Sequence, residues 1–204
     1  MGLVDDARNR FYGRFYEYEG VYPAMNALEG YIRRFGIPRS LYVDKHSTYK
    51  TTRDPSCDEL FRGQEAETQF ERAAGELGIE LIHAHSPQAK GRIERMFATL
   101  QDRLVKDLRL AAISSLAEAN RFLDPWLPRF NGQFEREAPR PGDLHRPLPR
   151  TVKLEDVFCI KAARTIHNGY FVRWKGVDVK YFSHRRGKNI SHRHGKDISH
   201  SPLE

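Results

Sequence analysis

The first 110 residues alternate between two hydrophobic periods, and this alternation restricts the fold more than any other feature. Apolar residues two apart suit a strand, and those three or four apart suit a helix. Leu3 and Val4 form a short apolar run that ends in Asp5 and Asp6. Phe11 to Tyr18 (FYGRFYEY) is aromatic and partly alternating, as in a half-buried strand. Together the two runs predict a hairpin turning across Ala7–Arg10. Met25, Leu28, Ile32 and Phe35 then recur at helical spacing, with Gly36 and Pro38 as a stop. Ser40 to Asp44 reads as a short strand ending in an acid, and residues 45–63 read as a long polar loop. Phe70, Ala73, Ala74 and Leu77 predict a second helix closed by Gly78, and Ile79 to Ala84 a further strand. The loop HSPQAKG (85–91) leads into a longer helix after Gly91, with Ile93, Met96, Phe97, Leu100, Leu104 and Leu108 on one face.

Strand, strand, helix, strand, helix, strand, helix is the order of an α/β sheet with parallel members. Sites in such sheets form beyond the carboxyl ends of strands. Asp44 closes one strand, and the HSPQAKG loop leaves the end of another.

Past Leu110 the character changes. Ser115 and Glu118 match a capping box and start a helix that Pro125 and Pro128 are expected to break. Residues 135–150 are proline-rich and read as an extended linker. Residues 157–182 are rich in Val, Phe, Ile and Tyr, with hairpin turn signals at Asn168-Gly169 and Lys175-Gly176. They predict a small β module in which Tyr170, Phe171 and Trp174 form the core. The tail repeats SHRRGKNI as SHRHGKDI and reads as a solvated, basic, His-rich segment. The expected divisions are 1–112, 113–150, 151–182 and 183–204.

Charged side chains make up 30% of the 204 residues and leave a formal net charge of +7, with a pI near 9.5. Clustered beside a site, such a surplus favours a polyanionic partner. Cys57 and Cys159 lie far apart without C-x-x-C spacing, which argues against a disulfide framework or a zinc site and fits a reducing cytoplasm. No run approaches the roughly 20 apolar residues of a membrane-spanning helix. Nor does the N-terminal stretch look like a signal peptide or a myristoylation site.

Two acids stand out as chemistry. Asp44 and Glu94, with 49 residues between them, each follow a predicted strand end. Two carboxylates at one sheet edge suit Mg²⁺, which takes hard oxygen ligands and keeps positions for phosphate and water. Lys90 and Arg92 bracket Gly91, and Arg95 follows Glu94; their charges suit a phosphate backbone. The residues allow plainer roles too: Glu94 in a surface ion pair, Asp44 as a turn cap, and His85 and His145 hydrogen-bonded within their loops.

At this point the sequence resembles a known family. "LYVDKHSTYKT" followed by "LGIELIHAHSPQAKGRIERMFATLQDRLVKDLRL" is similar to the integrase-core (DDE) transposases of bacterial insertion sequences. "GLVDDARNRFYGRFYEYE" resembles the segment before these, and "NGQFEREAPRPGDLHRPL" the linker after them. The likeness covers about residues 2–150, and its most specific part is the Ser-Pro-x-x-Lys-Gly-x-x-Glu-Arg run.

The resemblance implies a ribonuclease-H-like fold and DNA strand transfer by a homo-oligomer bound to transposon ends and target, in the bacterial cytoplasm at the nucleoid. It implies Mg²⁺ or Mn²⁺ held by three carboxylates, with Asp44 matching the second acid and Glu94 the third. The first acid lies upstream of the segment that "GLVDDARNR" resembles, so the chain is expected to lack the first strand and its Asp. In the implied strand order 3-2-1-4-5, that loss leaves two interior edges unpaired. Asp5 and Asp6 match second-strand positions and are expected to cap the strand and pair with Arg8 or Arg10. A truncated transposase is one expectation, a non-catalytic DNA-binding remnant a second, and an unrelated basic module a third.

Overall fold

The computed structural model describes residues 1–44, 48, 49, 51, 53–55, 66–83, 87–139, 142–162, 171–174 and 177–180, with backbone alone for 87–90, 92, 171, 174 and 177–180. The chain forms two compact units, Met1–Val152 and Lys153–Glu204.

In the first unit, β1 (Gly2–Asp5) and β2 (Arg10–Gly13) form the expected antiparallel hairpin, with Leu3 opposite Tyr12 and Val4 opposite Phe11. Its turn is closed by Asn9, which adopts a left-handed φ of 59°. Asp5 Oδ1 accepts from the backbone N–H groups of Ala7 and Arg8. The capping expected of Asp5 is therefore present. Arg8 and Arg10 both reach Glu135, and Arg10 also feels the charge of Asp5.

β2 departs from the half-buried strand that its sequence suggests, because Phe11, Tyr12 and Gly13 are all buried. The pleat sends neighbouring side chains to opposite faces, and both faces are covered. Tyr12 meets Tyr31 and Phe35 of helix α1 (Val21–Phe35) edge-on. Its hydroxyl comes so close to Gly30 that a Cβ there would lie 2.0 Å from it. Phe11 faces the other way, into a cluster of Met96, Leu100 and Leu104 from α3 (Pro87–Leu110) and Leu123, Trp126, Leu127 and Phe130 from α4 (Leu116–Phe134). The hairpin is thus the middle layer between α1 and the α3–α4 pair.

α4 runs through Pro125 and Pro128, where the sequence predicts a break. Each proline leaves one carbonyl without its helical donor, at a cost of about 3 kcal/mol in an ordinary helix. Burying Leu123, Trp126, Leu127 and Phe130 contributes roughly 1.5–3 kcal/mol each, enough to offset that loss. The helix expected within a linker over 113–150 is therefore a wall of the core. Its predicted start is borne out: Ser115 and Glu118 exchange both capping-box hydrogen bonds.

β3 (Ser40–Val43) and β4 (Glu80–His83) pair in parallel, with Val43 opposite His83. Between them lies α2 (Gln69–Glu76), opened by a second capping box, Thr68 with Glu71. α1 ends at Gly36 and α2 just before Gly78, and both glycines take a positive φ. Among the described residues the hairpin and the parallel pair are separate two-stranded sheets.

In the second unit, α5 (Leu154–Val157) is a single turn, and β5 (Phe171–Trp174) pairs antiparallel with β6 (Val177–Lys180). Trp174 stands opposite Val177, and the predicted turn residues Lys175 and Gly176 lie outside the described residues. Asn168-Gly169, Tyr170 and the His-rich tail lie outside the described residues, as do the side chains of Phe171 and Trp174.

Candidate functional site

Asp44 lies immediately after β3, exposed, at the carboxyl end of the parallel pair. The apolar run that forms β3 stops there because a charged side chain gains nothing from the buried register that Val43 occupies. Burial pushes the nearby Tyr49 phenol up to about 12, with the charges of Asp44 and Glu19 adding to the effect. Glu19, an acid that the sequence does not single out, thus shares the neighbourhood of Tyr49 with Asp44. Tyr49 itself packs edge-on against Phe70 of α2, with ring centres 4.9 Å apart.

Glu94 is exposed, but not at a loop–helix junction. α3 begins at Pro87, so Glu94 stands about two turns inside it. The helix can start there because proline has no N–H to lose in a first turn. Gly91 is correspondingly an ordinary helical residue: its φ is not positive, and no atom lies within 4 Å of a Cβ placed on it. The loop expected to run as far as Gly91 is helix from Pro87 onward. The amphipathic reading of α3 holds beyond that point. Met96, Leu100 and Leu104 are buried, whereas Arg95, Asp102, Lys106 and Arg109 are exposed. Asp102 and Lys106 form an i,i+4 ion pair on that outer face. Lys90 and Arg92 lie on the helix, but their side chains fall outside the described residues, as does all of His85.

His83, opposite Val43 in register, is a group that the sequence reading missed. Its Nε2 lies 3.9 Å from Glu71 Oε1, and its Nδ1 is buried with no hydrogen-bond partner among the described residues. An apolar strand ending in His gave no local signal of this.

Exposed carboxylates such as Asp44 and Glu94 are the hard oxygen donors that Mg²⁺ or Mn²⁺ prefers. Among the described residues, however, no three His, Cys, Asp or Glu side chains come close enough together to hold a metal ion. Asp44 and Glu94 each have a defined place in the fold, Asp44 after β3 and Glu94 within α3. No helix among the described residues is long and apolar enough to cross a membrane.

The chain is similar to two named proteins. One, from Sinorhizobium fredii, is called y4bF and described as a candidate transposase; it is 41% identical over 166 residues, covering 80% of this chain and 35% of that protein. The other is the transposase for insertion sequence IS1202 of Streptococcus pneumoniae, 30% identical over 198 residues, covering 92% of this chain and 39% of that protein. An alignment spanning four-fifths of the chain includes both Asp44 and Glu94 wherever it begins. No family model matches the sequence. The chain spans between a third and two-fifths of the length of these relatives, both of which are named as transposases.

Proposed function

We propose that this chain is a transposase catalytic-core segment with a ribonuclease-H-like fold, which binds DNA and takes part in metal-dependent phosphodiester strand transfer. The observation that carries the proposal is the similarity to two proteins named as transposases, in alignments that include both acids. Support for the site comes from Asp44 at the carboxyl end of a parallel strand pair, where α/β sheets commonly bind ligands. Support for the fold comes from the alternation of strands and helices and from the parallel pairing of β3 with β4.

In this reading Asp44 and Glu94 hold Mg²⁺ or Mn²⁺, and Lys90, Arg92 and Arg95 bind the DNA backbone. Such ions, when bound, stabilise charge on the attacking and leaving oxygens of a phosphodiester. The protein side chains place the acids and screen the phosphates.

The test is cleavage and joining of DNA that carries the element's ends, with Mg²⁺ present. Asp44→Asn and Glu94→Gln should each lower the rate at least about 100-fold, as expected for loss of a group that stabilises transition-state charge. A Glu94→Gln protein that cuts as fast as the parent sinks the site assignment. The absence of a three-acid cluster among the described residues favours a second reading, a DNA-binding segment without chemistry of its own. That reading predicts binding that weakens steeply with salt and no metal-dependent cutting.

A further inference from the structure

We propose that residues 142–146 are a clasp that bolts together the N-terminal ends of β3 and β4 and so aligns their C-terminal ends, with Arg146 as its main positioning residue. The link from those ends to catalysis rests on the function proposed above; the clasp itself does not.

Three sets of contacts make the clasp. The first grips the turn before β3: Ile37 N–H donates to Arg146 O, and Arg146 N–H donates to Ile37 O, both at 2.8 Å. The second grips the turn before β4, where Arg146 Nη2 donates to Leu77 O at 2.7 Å and to Gly78 O at 2.9 Å. These carbonyls lie at the C-terminal end of α2, the negative end of its dipole, where a guanidinium is favoured. One residue thus joins both turns.

The third set anchors the clasp to α1. His145 lies between Tyr31, 2.8 Å from Nε2, and Asp143, 2.6 Å from Nδ1. Burial holds the Tyr31 phenol well above its usual range, so it remains a neutral donor. With the imidazole neutral and its proton on Nδ1 toward Asp143, the Tyr31 hydroxyl can donate to Nε2.

The two glycines of these turns are shaped to the same partner. Gly36 has a φ of 94°, and a Cβ on it would lie 2.8 Å from Arg146 O. Gly78 has a φ of 62°, and a Cβ on it would lie 3.3 Å from Arg146 Nη1. Beyond the clasp each strand is only four residues long, roughly 13 Å of stiff backbone. Over that distance a shift at one end reaches the other. The opposite end is where Asp44 emerges and where the chain leaves for the helix bearing Glu94.

Amide hydrogen exchange on the whole chain tests this. Arg146→Ala should speed exchange at least about tenfold at Ile37 and Glu80, and by a smaller factor at Val43 and His83, leaving Leu28 and Phe130 unchanged. Gly36→Ala should repeat the pattern. Gly75→Ala, where a Cβ meets nothing within 4 Å, should not. Unchanged exchange at Val43 and His83 in both clasp variants overturns the proposal, since the strap would then be a passive cover. Equal acceleration at every core amide overturns it too, because that reports general loss of stability. If exchange behaves as expected while Glu94→Gln cuts DNA normally, the site reading fails and the clasp stands.

Discussion

The first unit contains two regions built on different principles. Around the hairpin, large side chains do the holding: Trp126 stacks on Phe130 at 4.8 Å, Phe130 leans on Phe134 at 4.6 Å, and Phe11 meets both Phe97 and Phe130 edge-on. Even the Trp126 indole N–H is satisfied, by Asp107 Oδ2 of α3 at 2.7 Å. Around the parallel pair the buried residues are often small, with Ala24, Ala27, Ala73 and Ala74 letting helices approach closely. There, hydrogen bonds from the 142–146 strap add to the burial of Met25, Leu28 and Ile32 on α1. The candidate acid Asp44 follows β3 in this second region.

The comparison breaks first if the aromatic cluster is not the main anchor. Phe130→Ala should lower stability by about 3–5 kcal/mol, the range for emptying a well-packed aromatic site. Urea unfolding followed by circular dichroism measures it. A loss under about 1 kcal/mol would mean that the hairpin side relaxes easily and the contrast is false.

Edge protection gives the next largest effect. Two side-chain amides from α4 close the outer edge of β2 and of the segment that follows it. Asn131 accepts from Phe11 N–H at 2.8 Å and donates to Phe11 O at 2.9 Å. Asn120 makes the same pair of bonds with Phe15, both at 3.0 Å. Asn131 is buried and Asn120 only partly so. Asn131→Ala strands two buried backbone groups and should cost about 2–4 kcal/mol, whereas water can replace Asn120, whose loss should cost about 1 kcal/mol. Equal losses in the two variants would show that burial does not set the difference.

These contacts also explain what the sequence could reveal. The hairpin, the stops at Gly36 and Gly78, the individual strands β3 and β4 and the Ser115 capping box are legible because each depends on neighbours within a few residues. The Asn131–Phe11 pairing bridges 120 positions, and the strap reaches Leu77 from 69 positions away. No local period encodes such contacts. The same blindness produced the errors over Pro125, Pro128 and Gly91, where burial or open space decided against the local rule. For the site, an acid ending an apolar run gave Asp44 its place at a strand terminus. Glu94 was read as a junction residue because its helix was expected to begin one turn late.

Acid pH sharpens the comparison with the smallest effect. Glu135 receives Arg10 from the hairpin, with Arg8 at 3.6 Å, and the Arg10 hydrogen bond is the main cause that holds its carboxyl below the usual glutamate range. A carboxylate with a depressed pKa contributes stability that is complete above its unfolded pKa and disappears as pH falls through the folded value. The ties between the hairpin and the end of α4 should therefore weaken as solutions are taken below the ordinary glutamate range. Asp102 and Glu118 are also held low, by Lys106 and Ser115, but both are fully exposed and add little. Glu135→Gln should cost about 1 kcal/mol at neutral pH and nothing at a pH where Glu135 is protonated. Thermal melts of parent and variant from pH 7 down to about 3 give the two curves, which should converge at the acid end. Parallel curves would assign the acid sensitivity elsewhere, with Asp143 of the strap, which His145 also holds low, as the next carboxylate to replace.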